Sequence, residues 1–180
     1  YGAGYSEALQ GLRPLTQQMI ATAGAAFAQV MSFTNLRITE GSAWTANLRL
    51  AHSSMPETAY AYTPYSDTKA GDVWFSGTDY DAPGRGDYAW YTFLHEIGHA
   101  LGLKHPHETS PDVPVRMSSA YDFMEYSVMS YRSYAGASIE GGYPNERYGF
   151  ASTYMMYDIA ALQKMYGADY TTNSGNSVYT

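Results

Sequence analysis

One short run carries the residues most able to do chemistry: His95-Glu96-Ile97-Gly98-His99-Ala100-Leu101-Gly102-Leu103-Lys104-His105-Pro106. Two imidazoles four residues apart on a helix stand about 40° apart around its axis at roughly 100° per residue, so both reach one metal ion from one face. Glu96 points elsewhere around the helix, which suits a general base for a metal-bound water better than a third ligand. Gly102 stands three residues past His99, where a helix stops most readily on a residue that tolerates positive φ. The chain can then turn back and bring His105 onto the same ion. Three neutral imidazoles leave Zn²⁺ an open position, as a catalytic site requires. His107, two residues further on, could compete for the metal, but the spacing from Gly102 favours His105 and leaves His107 in a loop.

The run fits the pattern H-E-x-x-H-x-x-G-x-x-H in full and so resembles the metzincin zinc endopeptidases. Pro106, directly after the third histidine, is similar to the serralysin branch. A second stretch, Tyr126-Ser127-Val128-Met129-Ser130-Tyr131, resembles the Met-turn that underlies the zinc site in that clan. The resemblance implies Met129 as a hydrophobic floor. It implies Tyr131 as a tyrosine that ligates zinc at rest and swings aside to hydrogen-bond the reaction oxyanion. The run Asp158-Ile159-Ala160-Ala161-Leu162-Gln163 is like the family's last catalytic-domain helix, in which Asp158 would anchor the backbone of the Met-turn.

The same resemblance makes the short aromatic strand Gly71-Asp72-Val73-Trp74-Phe75-Ser76 the exposed edge of the sheet, bordering the cleft. Gly71, Asp72, Val73, Trp74 and Phe75 are then expected to bind an extended substrate, because an edge strand offers unpaired N–H and C=O groups. The stretch from His105 to Met124 matches the family's specificity loop. There Val113, Val115, Met117, Tyr121, Phe123 and Met124 either line an apolar pocket or bury themselves.

The elements that must position these groups can be read in order. Residues 1–14 form an irregular lead-in without the strand that metzincins place ahead of their first helix, as if an N-terminal portion or pro-segment lay outside this chain. From Thr16, a suitable N-cap, Ile20, Ala23, Phe27 and Val30 keep helical spacing to about residues 33–35. Leu36/Ile38 and Leu48/Leu50 alternate with polar residues and read as two half-buried strands. His52 has no partner at ligand spacing and reads as structural or exposed. Residues 53–70 read as loop, and Asp87 as the N-cap of the histidine-bearing helix. In that helix Trp90, Leu94, Ile97 and Leu101 form an apolar stripe nearly opposite the histidines. Ser152 is placed to cap a last helix with Met155, Ile159, Leu162 and Met165 on one face, closed by Gly167.

At 180 residues the chain is large enough for a single domain with its own core. The formal charge of −7, with no cluster of Lys or Arg, argues against nucleic acid and anionic membranes as partners. No apolar run approaches the length of a membrane span. Zero cysteines exclude disulfides and thiolate zinc sites. Tyr dominates the aromatic residues, 19 against 6 Phe and 3 Trp, which suits a half-buried, loop-rich surface or a polypeptide-binding groove. No cleavable N-terminal signal is visible, and by resemblance the protein is secreted or held at the cell surface, exported through a signal beyond this chain. The tail 171–179 looks like the serralysin junction into a calcium-binding repeat domain, but Asn176 stands where an Asp is expected and no G-G-x-G-x-D repeat follows. Ca²⁺ is therefore expected only in a domain absent from this chain.

The expectation is an α+β metzincin-like zinc protease: a twisted mixed sheet with an antiparallel edge strand over the cleft, a zinc-binding helix, a Met-turn and a C-terminal helix. It would use one Zn²⁺, a water activated by Glu96 and the Tyr131 hydroxyl to cleave internal bonds of extended polypeptides, with any protein inhibitor left open. An exopeptidase would need a charged pocket for a chain terminus, and no cluster is committed to one. A binding or adhesion module with a structural zinc is the non-enzymatic alternative, and it gives Glu96 no purpose.

Overall fold

The computed structural model describes residues 6, 10–42, 44–64, 68–111, 113–176 and 178. Parts of the lead-in and of the tail junction therefore lie outside the described residues. Three helices and a small mixed sheet follow in the order α1 (Gln17–Phe33), β1 (Arg49–His52), β2 (Ala59–Ala61), β3 (Asp72–Phe75), α2 (Tyr88–Ala100) and α3 (Met156–Tyr166).

Helix α1 begins where expected, with the Thr16 hydroxyl accepting from the Met19 N–H. Its buried face is Met19, Ala23, Ala26 and Val30, with Thr22, whereas Ile20 is half exposed. Small alanines on that face let α1 lie close to α2 across the main core.

The sheet order is β1-β3-β2. Strand β3 pairs parallel with β1 on one side and antiparallel with β2 on the other, with Tyr60 opposite Trp74. This corrects the expectation that Gly71, Asp72, Val73, Trp74 and Phe75 form an open edge: β3 is the central strand, and its backbone is paired on both sides. The side chains of Val73, Trp74 and Phe75 are fully buried. The Asp72 carboxylate is held by Arg49 through Nε (2.6 Å) and Nη2 (3.1 Å), directly across the β1–β3 register. Gly71 takes φ +79°, and a Cβ there would stand 2.3 Å from the Asn47 carbonyl oxygen. The antiparallel edge strand is β2, inside the segment expected to be loop. Ala59-Tyr60-Ala61 is too short for its alternation to stand out in sequence.

One other expectation is corrected. Residues 36–39 form no strand, because two alternating apolar residues find no partner; instead Thr34 bridges Ala168. Arg13 in the lead-in pairs with His52 at the end of β1 through a single antiparallel bridge. His52 itself is buried, with Nε2 2.7 Å from the Gly77 carbonyl.

Helix α2 is capped by Asp87, whose carboxylate accepts from the Trp90 and Gly84 N–H groups. It is buried on nearly all sides, well beyond the stripe of Leu94, Ile97 and Leu101. Phe93 stacks on Phe75 of the central strand at 4.1 Å, which fixes the helix over the sheet. At its end Leu103 N–H donates to the Gly98 carbonyl and Gly102 N–H to that of His99, with Gly102 at φ +101°. This paired bonding closes a helix through a left-handed residue and satisfies two of its last carbonyls.

Helix α3 starts later than Ser152 suggested. Its N-cap is Met155, and the acid at the third helical position, Asp158, accepts from the Met155 N–H (2.9 Å). Of the four expected apolar positions only Leu162 is fully buried, and Met165 is 42% exposed. Asp158 is also buried because it reaches back to the 126–131 turn, accepting from Ser127 Oγ (2.6 Å) and Val128 N (2.8 Å). Burial pushes its carboxyl up to about 6, opposed by these three donors, so it is ionised at neutral pH.

Met129 is buried beneath α2 at Gly98, where a Cβ would stand 2.7 Å from the Met129 sulfur and 3.3 Å from Leu103 Cδ1. Helix propensity alone favours alanine at position 98 by about 1 kcal/mol, but overpacking a core costs about 1–3 kcal/mol. Gly98→Ala is therefore expected to lower the urea unfolding free energy by ~1–2 kcal/mol, and by less in a Met129→Ala background. An equal loss in both backgrounds would show that the contact is not the cause. Asp158→Asn presents one oxygen where three donors need two, and is expected to cost about 1–3 kcal/mol in the same measurement.

Candidate metal centre and cleft

His95 and His99 project from one side of α2, and the Gly102 turn returns His105 to them. The Nε2 atoms of His95 and His105 are 3.1 Å apart, and those of His99 and His105 2.9 Å apart. The protons on these rings follow from their other nitrogens. His95 Nδ1 is 2.8 Å from the Val128 carbonyl and His99 Nδ1 is 2.9 Å from the Leu103 carbonyl. A carbonyl oxygen can only accept, so both Nδ1 atoms carry the proton and both Nε2 atoms present bare lone pairs. Burial, followed by the neighbouring imidazoles, holds His95 well below the usual histidine range and brings His99 down to about 4, so both rings are neutral at pH 7.

Two bare lone pairs thus face the third ring at hydrogen-bond distance, and His105 Nε2 has at most one proton to give. A cation shared by all three relieves the repulsion, so this donor set fits a metal ion, and three nitrogens at this spacing suit zinc. The third ring is held differently. His105 Nδ1 is 2.8 Å from Glu108 Oε1, an ion-pair distance without the alignment of a hydrogen bond.

Glu96 lies beside His95 and is buried, and its Oε2 has no hydrogen-bond partner. Burial pushes its carboxyl up to about 8. Together with His95, Glu96 lines an open cleft of about 260 Å³ whose other walls include Ala59 of the β2 edge with Thr58 just before it, Tyr91, Tyr131 and Tyr143. The Tyr131 ring lies 4.4 Å from that of His105 and 5.8 Å from that of His95. Burial, and then the Glu96 and Glu108 carboxylates, push its hydroxyl up to about 12, so it remains a hydrogen-bond donor.

The turn carrying Tyr131 has a second buried anchor that the sequence did not single out. Asp122 accepts from Ser130 Oγ (2.7 Å) and pairs with Arg132. The Ser130 carbonyl accepts from both the Tyr91 and Tyr143 hydroxyls, at 2.9 and 3.0 Å, which ties the aromatic wall of the cleft to the turn. The residues offered as pocket lining in the 113–124 stretch do not reach the cleft. Phe123 and Met124 are buried, Met117 is half-buried, and Val113, Val115 and Tyr121 are exposed. Ile139, Gly142 and Tyr143, from the loop between the 126–131 turn and α3, take that wall instead. Their one sequence signal was the excess of tyrosine, which cannot say which rings face a groove. Among the described residues, no helix is long and apolar enough to cross a membrane.

No family model matches the chain. Among curated proteins it is similar to Serralysin C of Dickeya chrysanthemi, with 42% identity over 127 residues, covering 67% of this chain and 26% of that protein. Serralysin of Proteus mirabilis is 38% identical over 138 residues, 72% of this chain and 26% of its own length. Metalloprotease AprA of Pseudomonas entomophila is 39% identical over 131 residues, 67% and 27% respectively. The chain thus spans about a quarter of the length of the curated relatives it matches. With the histidine-helix, the Gly102 turn and the 126–131 turn in place, these relatives identify the chain as a member of the serralysin-like metzincins, carrying sequence of their catalytic domain.

Proposed function

We propose that this chain is a single catalytic domain of metzincin fold that hydrolyses internal peptide bonds of extended polypeptides with one zinc ion. The observation that carries the reading is the convergence of three imidazoles, one of which lines the cleft together with a buried carboxylate whose second oxygen is unpartnered. A structural ion needs no base, so the binding-module reading leaves Glu96 unexplained. Among the described lining residues the only imidazole or carboxyl groups are those of His95 and Glu96, both assigned to the metal centre, so nothing is set to hold a chain terminus as an exopeptidase requires.

His95, His99 and His105 would hold the zinc through Nε2, with Val128 and Leu103 fixing the first two rings from behind. When bound, zinc supplies a Lewis acid that polarises the scissile carbonyl and makes water acidic enough to attack near neutral pH. Glu96, whose ionised form a cation beside it would favour, would take the proton from the attacking water and hand it to the leaving amine. The Tyr131 hydroxyl, which keeps its proton, donates to the carbonyl oxygen as negative charge develops there. Met129 and Asp158 take no proton; they hold the turn that carries Tyr131.

The substrate-binding edge falls to β2 in place of β3. Hydrogen bonds from Tyr62 N to Asp72 O and from Ser76 N to Thr58 O set the alternation of the β2–β3 ladder. In that alternation Ala59 and Ala61 turn their own N–H and C=O groups away from β3, toward the open side. A substrate strand laid there pairs by backbone alone, which suits cleavage of unstructured chains. By family resemblance the protein acts outside the cell or at its surface.

Casein is expected to be cut internally by the zinc-loaded chain, to survive when a chelator is present, and to be cut again when zinc is restored. Glu96→Gln should bind zinc yet lose about 10²–10⁴-fold in kcat/KM; retained activity in that variant would overturn the role of Glu96. Ala59→Pro removes an outward N–H without breaking the ladder. It should raise KM for a peptide substrate roughly fivefold at nearly constant kcat, the worth of about one hydrogen bond.

A further inference from the structure

We infer that His107 and Glu108, beside His105, form a second and weaker site for Zn²⁺ or a similar transition-metal ion at the rim of the three-histidine centre. The inference rests on reading His95, His99 and His105 as ligands of the first ion. One ligand atom from each of His105, His107 and Glu108 falls within 4.8 Å of the others. His107 Nδ1 is buried and has no hydrogen-bond partner. An imidazole nitrogen left this way is destabilising unless a proton donor or a metal meets it. Its ring lies parallel to that of His105, 5.5 Å away at 3°. Imidazole nitrogen and carboxylate oxygen together are a donor set that zinc accepts.

The His105 ring separates the two sites. Its Nε2 faces His95 and His99, while its Nδ1 edge lies against Glu108. With the first ion on Nε2, Nδ1 keeps its proton, so the second ion is held by His107 Nδ1 and Glu108, and water completes its shell. Two protein ligands in place of three make the site weaker. So does the Lys104 ammonium, which is tied to the backbone carbonyls of His105 and Glu108. The His107 ring is also 5.2 Å from that of Tyr131, so an ion that fixes His107 crowds the hydroxyl-bearing ring at the cleft. Excess zinc should therefore slow cleavage as the second site fills.

Calorimetric titration of the metal-stripped chain with Zn²⁺ tests this directly. The wild type should bind two ions, the second on the order of 100-fold more weakly than the first. His107→Ala should bind one, with the affinity of the first unchanged, and Glu108→Gln should weaken the second by about 10–100-fold and the first by less, through its contact with His105. A single ion in the wild type, or a second ion that survives in His107→Ala, overturns the inference. Loss of both ions from a His107→Ala protein that melts like the wild type also overturns it, since His107 would then belong to the first centre. If His107→Ala fails to fold, Glu108→Gln decides: an unchanged second affinity sinks the proposal. A wild type that binds no ion at all overturns the three-histidine reading itself.

Discussion

Lone pairs on neighbouring neutral imidazoles repel, and the rest of this structure can be understood as the means of forcing three of them together. The carbonyls of Val128 and Leu103 take the Nδ1 protons of His95 and His99 and leave both Nε2 atoms bare toward His105. One carbonyl comes from the 126–131 turn and the other from the residue just past Gly102. Ring orientation therefore depends on two backbone segments that meet only when the chain is folded. A second neutral tautomer at either ring would lose a buried hydrogen bond, so the site is built for a cation before one arrives.

Holding that arrangement is the work of groups outside the cluster of imidazoles. The Asp158 carboxylate gathers Ser127, Val128 and Met155, which joins α3 to the turn that supplies the Val128 carbonyl. Asp122 does the same for the far side of the turn through Ser130 and Arg132. Beneath α2, the missing side chain of Gly98 makes room for Met129. Each of these contacts is short-range and directional, or else a matter of excluded volume. A small shift of the turn would then move both the Val128 carbonyl and Tyr131.

The cleft follows from sheet order as much as from the helix. Placing β3 in the centre consumes both its edges and all its side chains, and leaves β2 as the edge strand that borders the cleft. Phe93 stacked on Phe75 links that sheet to α2, so the open edge and the histidines keep a fixed relation. The tyrosines opposite the edge are not free to swing, since Tyr91 and Tyr143 both donate to the Ser130 carbonyl. A groove with one rigid backbone rim and one rigid aromatic wall suits an extended chain.

What the sequence alone determined was local. The helix-borne spacing of His95 and His99, the Asp87 and Thr16 caps and the Gly102 stop depend on residues within a turn or two of each other, where periodicity and backbone preference are legible, while the 126–131 turn was legible only by its family resemblance. Ile20 and Ser152 show the limit of such signals, because which face of a helix is buried and where it starts depend on partners far along the chain. Only the tertiary structure decided that β3 is central and β2 is the edge, since strand order is a pairing between segments and three residues carry no period. It also decided that Ile139, Gly142 and Tyr143 wall the cleft in place of the 113–124 stretch, because a loop residue's direction is set by what it packs against. The same reason explains Asp122 and the orphaned His107 nitrogen: burial and partnership are properties of the fold, and residue type reveals them only after the surroundings are known.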